Sequence, residues 1–185
     1  MANSTQSVCV YCGSRKGRHA AYEADARAVG AAIAENGWRL VYGAGDVGLM
    51  GAVANATQRA GGETFGVIPT HLLDWEVGKR DLTRFVVTEN MHERKKVMYM
   101  NSDAIVVLPG GAGSLDEFFE VLTWRQLGLH EKPIFFLNTA DYWAPLAALM
   151  DHVVEEGFAD ATIKDFYRMF DDVPALTEAL RSALS

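Results

Sequence analysis

Short, unbroken apolar runs recur along this chain, and each is separated from the next by enough residues for a helix. They are "SVCVY" (Ser7–Tyr11), "RLVYG" (Arg39–Gly43), "TFGVI" (Thr64–Ile68), "RFVVT" (Arg84–Thr88), "AIVVL" (Ala104–Leu108) and "PIFFL" (Pro133–Leu137), with "RMF" near Arg168 as a seventh candidate. The runs are continuous rather than alternating, which is the pattern of strands covered on both faces. The intervening segments "YEADARAVGAAIAENG", "GLMGAVANATQRAGG", "NMHERKKVMYMNS", "SLDEFFEVLTWRQLG" and "WAPLAALMDHVVEEG" mostly space apolar residues by three and four, and several stop at glycine. Strand and helix alternating at this spacing predict βαβ units. The expected fold is therefore α/β, a doubly wound Rossmann-like parallel sheet of six to seven strands with helices on both faces, in a single domain over residues 1–185. There is no internal repeat, low-complexity tract or linker. One irregular stretch, "PTHLLDWEVGKRDL" (Pro69–Leu82), reads as a loop beside the sheet, and long loops at strand ends are often functional.

The chain has 185 residues and a formal net charge of -7. That balance argues against a nucleic-acid or anionic-membrane binder, yet leaves room for a locally positive site for a small anion. Cys9 and Cys12 form a C-x-x-C, but Cys9 falls within an apolar strand and neither further cysteines nor well-spaced histidines complete a metal set. They read as packing thiols in a reducing cytoplasm, with no metal site. "MANSTQS" carries no apolar signal core, and no stretch approaches the roughly 18 apolar residues of a membrane span. The expected location is cytoplasmic.

In open parallel sheets, ligands sit beyond the carboxyl ends of the strands. The segments there are "CGSRKG" (Cys12–Gly17, with Ser14), "GAGDVGLMG" (Gly43–Gly51), "ENMHERKK" (Glu89–Lys96) and "PGGAGSLDE" (Pro109–Glu117). Glycines, small hydroxyls and basic residues gather at one edge, the composition of an anion site built from backbone N–H groups and helix N-termini. "GAGDVG" matches G-x-G-x-x-G, but it follows the second strand, and no acid closes the third strand where a dinucleotide ribose would need one. Its glycines serve either a tight turn or nucleotide contact.

In "PGGAGSLDE", Ser114 and Glu117 have the S-x-x-E spacing of a capping box, and Asp116 suits the same positive helix end. Capping does not explain Gly110, Gly111 and Gly113 together, which free the backbone to approach a ligand. Glu117 and Glu120 lie three apart, on roughly one helix face. "NMHERKK" reads blandly as a solvated basic helix start with Met91 and Val97 on the buried side and His92 on the surface. Basic residues there oppose the helix dipole, a cost an anion would offset, and Arg94 is the residue type that forks around phosphate or carboxylate.

With "MHERK" and "PGGAGSLDE" in hand, the sequence resembles the LOG ("Lonely guy") family of cytokinin riboside 5'-monophosphate phosphoribohydrolases, often mislabelled lysine decarboxylases. The family's signatures are P-G-G-x-G-T-x-x-E and an upstream M-H-x-R-K. The similarity runs through "VCVYCGS", "LVYGAGDVGLMG", "GVIP" and "LTWRQLGLHEKPIFFLN" to "EEGF". Ser114 replaces the usual threonine and keeps its hydroxyl, whereas Ala44 stands where the family has the middle glycine of G-G-G.

The resemblance implies a hydrolase of cytokinin biosynthesis that cleaves the N-glycosidic bond of a purine riboside 5'-monophosphate or AMP, releasing base and ribose 5-phosphate. By the same carry-over Glu117 would stabilise an oxocarbenium-like transition state and orient or activate water. Arg94 would hold the nucleotide and support developing charge, and Gly111 to Ser114 would bind the 5'-phosphate. Lys95 would add positive charge, and Glu76 and Thr123 would contact substrate. Ser14, Met91, Gly110, Gly113 and Glu120 complete the expected substrate-binding set. No cofactor is implied. A pyridoxal decarboxylase would need a Schiff-base lysine, and nothing prepares Lys95 or Lys96 for that role. The family resemblance also implies a homodimer with both motif helices near the interface. The alternative on the same fold is a non-catalytic nucleotide or molybdenum-cofactor carrier, which would keep the cradle without needing Arg94 and Glu117.

Overall fold

The computed structural model describes residues 5–73 and 79–185. Seven parallel strands form one sheet: β1 (Ser7–Tyr11), β2 (Arg39–Tyr42), β3 (Thr64–Pro69), β4 (Arg84–Thr88), β5 (Ala104–Val107), β6 (Ile134–Leu137) and β7 (Arg168–Phe170). Among the described residues six α-helices connect or follow them: α1 (Ala20–Glu35), α2 (Gly48–Arg59), α3 (Met91–Met100), α4 (Ala112–Gln126), α5 (Ala144–Glu155) and α6 (Val173–Ala183). The doubly wound α/β expectation holds, with "RMF" as the seventh strand. Helix α6 was not among the anticipated helices; its short span after β7 begins at Val173 with Asp172 capping the Ala175 N–H.

Residue alternation along each strand divides the core into two layers. Val8 and Val10 of β1 and Val106 of β5 face the side covered by α1, α2 and α6. Cys9, Tyr11, Ile105 and Val107 face α3, α4 and α5. Both faces of the central strands are thus covered, which explains their unbroken apolar runs. The edge strand β4 departs from that pattern, because it pairs only with β3 and Val87 stays 46% exposed.

The strand order is β4-β3-β2-β1-β5-β6-β7. The chain therefore winds outward from β1 to β4, returns to the opposite flank of β1, and winds outward again. This reversal falls between β1 and β5, whose registers pair Tyr11 with Val107. The loops leaving these two strands diverge, and a ligand crevice opens between them. They are stitched together where they part: the Leu108 N–H donates to the Tyr11 carbonyl at 2.9 Å, and the Gly13 N–H to the Pro109 carbonyl at 3.0 Å. Among the described residues no helix is long and apolar enough to cross a membrane.

Candidate active site

A cleft of about 440 Å³ opens at this switch point. Its floor is Cys12 to Gly17 after β1 and Pro109 to Ser114 after β5; Gly43, Arg94 and Glu117 complete its chemical wall, and Tyr142 closes one side.

The glycine segment begins α4 three residues earlier than the S-x-x-E spacing predicts, with the N-cap at Gly111 instead of Ser114. Gly111 is the N-cap and makes no side-chain cap, while Ser114 lies within the first turn, buried. The capping-box expectation is therefore corrected. A glycine cap cannot fill the orphan N–H groups of the first turn, so they remain available to an anion. A Cβ at Gly111 or Gly113 would meet nothing within 4 Å, whereas one at Gly110 would collide with the Ser114 side chain. Gly110 is thus required by packing, and Gly111 and Gly113 keep the floor of the cleft open. Asp116 does not serve the helix end but binds Lys95.

The basic helix start is not solvated in the way its composition suggests. Asn90 caps α3 by accepting the Glu93 N–H at 2.9 Å. The residues that α3 buries fully are Arg94, Lys95 and Met98; Val97 is partly buried and packs on the core as expected, whereas Met91 does not join that cluster. The Arg94 guanidinium spans the ends of two strands: Nε donates to the Val67 carbonyl at 3.0 Å and Nη2 to the Gly43 carbonyl at 2.6 Å. Its Nη1 approaches the Met91 sulfur at 3.8 Å. Lys95 diverges from it toward α4, where Nζ meets Asp116 at 3.0 Å and Glu120 at 2.9 Å. Burial alone would lower its pKa, but hydrogen bonds to Glu120 and Asp116 outweigh it and hold the ammonium above the ordinary lysine value.

Glu117 lies one turn into α4, half-buried, and lines the cleft together with Cys12 at the end of β1. Its charge is felt there: burial first, and the Glu117 charge second, push the Cys12 thiol far above its usual range. Cys12 lines the cleft but stays protonated, so it is no nucleophile at neutral pH.

The cleft brings together Ser14, Arg94, Gly110, Gly111, Gly113, Ser114 and Glu117 from the expected set. Met91, Lys95, Glu120 and Thr123 do not line it. Met91 instead backs Arg94, Lys95 and Glu120 pair with each other, and the Thr123 hydroxyl donates to the Phe119 carbonyl at 2.7 Å. Glu76 falls outside the described residues. The "GAGDVG" glycines divide between the two readings: Gly43 lines the cleft, whereas Gly48, at φ 62°, packs against the Ser14 backbone. Three cleft residues carried no individual signal. Arg15 and Lys16 sit in the glycine-bearing loop after β1, where their charge was the available clue. Tyr142 comes from the loop after β6, where no local pattern points to the cleft.

A switch-point cleft with an uncapped helix start, a backbone-anchored guanidinium and a carboxylate one turn along defines an α/β protein whose cleft places an anion-favouring helix end beside a carboxylate. The family is then specific. A family model described as "Possible lysine decarboxylase" matches residues 50–180. A cytokinin riboside 5'-monophosphate phosphoribohydrolase from Rhodococcoides fascians is 42% identical over 178 residues, covering 96% of this chain and 90% of its own. The cytokinin riboside 5'-monophosphate phosphoribohydrolase LOG from Oryza sativa subsp. japonica is 44% identical over 151 residues, 82% of this chain and 62% of its own. The chain belongs to this phosphoribohydrolase (LOG) family. In fold it is also similar to the molybdenum cofactor carrier protein of Chlamydomonas reinhardtii, with a TM-score of 0.75, 21% identity, and coverage of 98% of this chain and 99% of that one. At that identity the likeness concerns the fold alone.

Proposed function

We propose that this protein hydrolyses the N-glycosidic bond of a purine riboside 5'-monophosphate, AMP or a cytokinin-type derivative, giving free base and ribose 5-phosphate. The observation that carries the reading is the sharing of one cleft by Glu117, Arg94 and the uncapped start of α4. The 5'-phosphate occupies the N–H groups of Gly111 to Ser114, where the helix dipole favours negative charge. The anomeric carbon then lies toward Glu117. As the bond to the base stretches, positive charge grows on the ribose, and the Glu117 carboxylate stabilises it. Water adds to the anomeric carbon and its proton passes to Glu117, while the departing base takes a proton from solvent; Glu117 then returns its proton to solvent and is again a carboxylate. Arg94 holds the nucleotide and balances the charge that develops opposite the cation.

We further read the chain as a cytoplasmic homodimer of single-domain protomers. A groove along α3 and α4, with Tyr99, Met100, Trp124 and Leu129 as its apolar lining and His92, Lys96 and Glu120 as its polar lining, supports the dimer. Cys9 and Cys12, both buried free thiols, support a reducing compartment. Glu76 keeps its proposed substrate contact; of the residues outside the cleft, Met91 supports the site by backing Arg94, and Lys95 and Glu120 by holding α3 to α4.

The test is direct. Purified protein given AMP or isopentenyladenosine monophosphate should release base and ribose 5-phosphate. Tight nucleotide binding without release would favour the carrier alternative, which uses the cradle but not Glu117.

A further inference from the structure

The loop after β6 is unusually constrained for a surface connection. Ala140 and Asp141 both adopt left-handed backbone, at φ 52° and 59°, a region unfavourable for residues with a Cβ. Asn138 holds them there. Its carbonyl accepts the Asp141 N–H at 3.0 Å. Its side-chain oxygen accepts the Trp143 N–H at 2.8 Å, and its amide nitrogen donates to the Asp141 carboxylate at 3.1 Å. Thr139 fixes the same turn to α1 through Asp25, at 2.6 Å. Consecutive strained residues so firmly held invite the question of what they aim.

They aim Tyr142. Its ring meets Tyr22 edge-on at 5.6 Å and Trp143 at 4.8 Å, and its hydroxyl donates to the Gly110 carbonyl at 2.5 Å across the mouth of the cleft. The Gly110–Gly111 peptide lies between two residues without Cβ, so sterics leave both of its orientations accessible. A trans peptide points its carbonyl and its N–H in opposite directions. Fixing the Gly110 carbonyl on Tyr142 therefore fixes the Gly111 N–H on the other side. In the flipped orientation the same carbonyl would face the anion and repel it, and the tether disfavours that orientation.

We propose that Tyr142 is a positioning residue for the phosphate cradle, its hydroxyl holding the Gly110–Gly111 peptide in the orientation that presents the Gly111 N–H to the 5'-phosphate. The inference rests on the phosphate reading of the cradle given above. It predicts that Tyr142→Phe, which keeps the ring contacts and removes only the tether, weakens phosphate recognition and leaves the chemistry intact. The KM for AMP and the inhibition constant of ribose 5-phosphate should rise together by about tenfold, the value of one lost hydrogen bond, with kcat nearly unchanged. Unchanged KM and inhibition constant would overturn the proposal, as would a fall in kcat alone.

Amide exchange provides a readout independent of turnover. Inorganic phosphate should slow exchange at Gly111 to Ser114 in the wild-type protein and do so much less in Tyr142→Phe. Equal protection in both proteins would overturn the tether. Wild-type protein that is protected by phosphate but releases no adenine from AMP would overturn the hydrolase reading while leaving the tether standing.

Discussion

The Arg94 guanidinium lies directly against the Gly43 backbone: Nη2 donates to the Gly43 carbonyl at 2.6 Å, and a methyl on Gly43 would fall inside the space that nitrogen fills. The glycine after β2 and the arginine of α3 are therefore one device, although 51 residues separate them. Gly43→Ala should push the guanidinium out of place without removing it. A displacement near 1 Å is enough to lower kcat/KM by about 100-fold, and Arg94→Lys should lose a similar amount, because an ammonium cannot reach both strand ends as a planar fork does. Steady-state kinetics with AMP checks both. A Gly43→Ala protein with wild-type kcat/KM would show that the packing against Gly43 does not position Arg94 for the reaction.

Glu117 is the second part of the site to test. Glu117→Gln preserves size and hydrogen-bonding capacity but removes the charge that would stabilise the ribosyl cation. Loss of a charge acting mainly in the transition state should reduce kcat by a factor of about 1,000 or more, with nucleotide affinity little changed. The same substitution should ease ionisation of Cys12, because the Glu117 charge is the second cause, after burial, that holds the thiol up. Base release and an equilibrium nucleotide titration separate the two effects.

The strands were legible because central strands of a parallel sheet are buried on both faces and must be apolar without interruption. The ligand edge was legible because glycine and charge collect at strand ends. The detailed site was less so. Ser114 and Glu117 have the spacing of a cap, and only the fold shows that Gly111 starts the helix and leaves its N–H groups open. Lys95 and Arg94 are adjacent in sequence but diverge from α3, one to Asp116 and Glu120 and the other to the ends of β2 and β3. Tyr142 reaches Gly110 from a loop 32 residues away, a meeting set by strand order and by the left-handed turn at Ala140 and Asp141.

Ala44 is a liability the fold tolerates. It is fully buried at φ 59°, left-handed backbone that costs an L-residue about 1–2 kcal/mol. Its carbonyl accepts the Lys79 N–H at 3.0 Å, which holds it in place. Ala44→Gly should relieve the strain, partly offset by the greater freedom of glycine in the unfolded chain. A net gain of about 0.5–1 kcal/mol corresponds to roughly 1–4 °C in Tm for a chain of this size. Calorimetry measures it, and kcat/KM should hold steady because Ala44 does not line the cleft.

Stability should also report on His130, which sits between α4 and β6. One ring nitrogen, Nε2, lies 2.8 Å from the Val121 carbonyl, and the other, Nδ1, accepts the Lys132 N–H at 3.1 Å. Those partners assign the neutral ring protonated on Nε2, because a carbonyl can only accept and a backbone N–H can only donate. Burial is the main cause that lowers its pKa from 6.5; the hydrogen bond to Val121 opposes it, and the nearby charges of Arg125 and Lys132 add to it. In the unfolded chain the ring takes up a proton near its ordinary pKa, while in the fold it resists. The unfolded state therefore binds more protons below about pH 6.5, and stability must fall with pH from there until the folded-state pKa is passed. Above pH 7 both states are neutral at this site and its contribution is flat. Urea denaturation midpoints between pH 7.5 and 5 should decline in the wild type and decline less in His130→Gln, which can still donate to Val121. Parallel curves for the two proteins would remove His130 from the acid sensitivity.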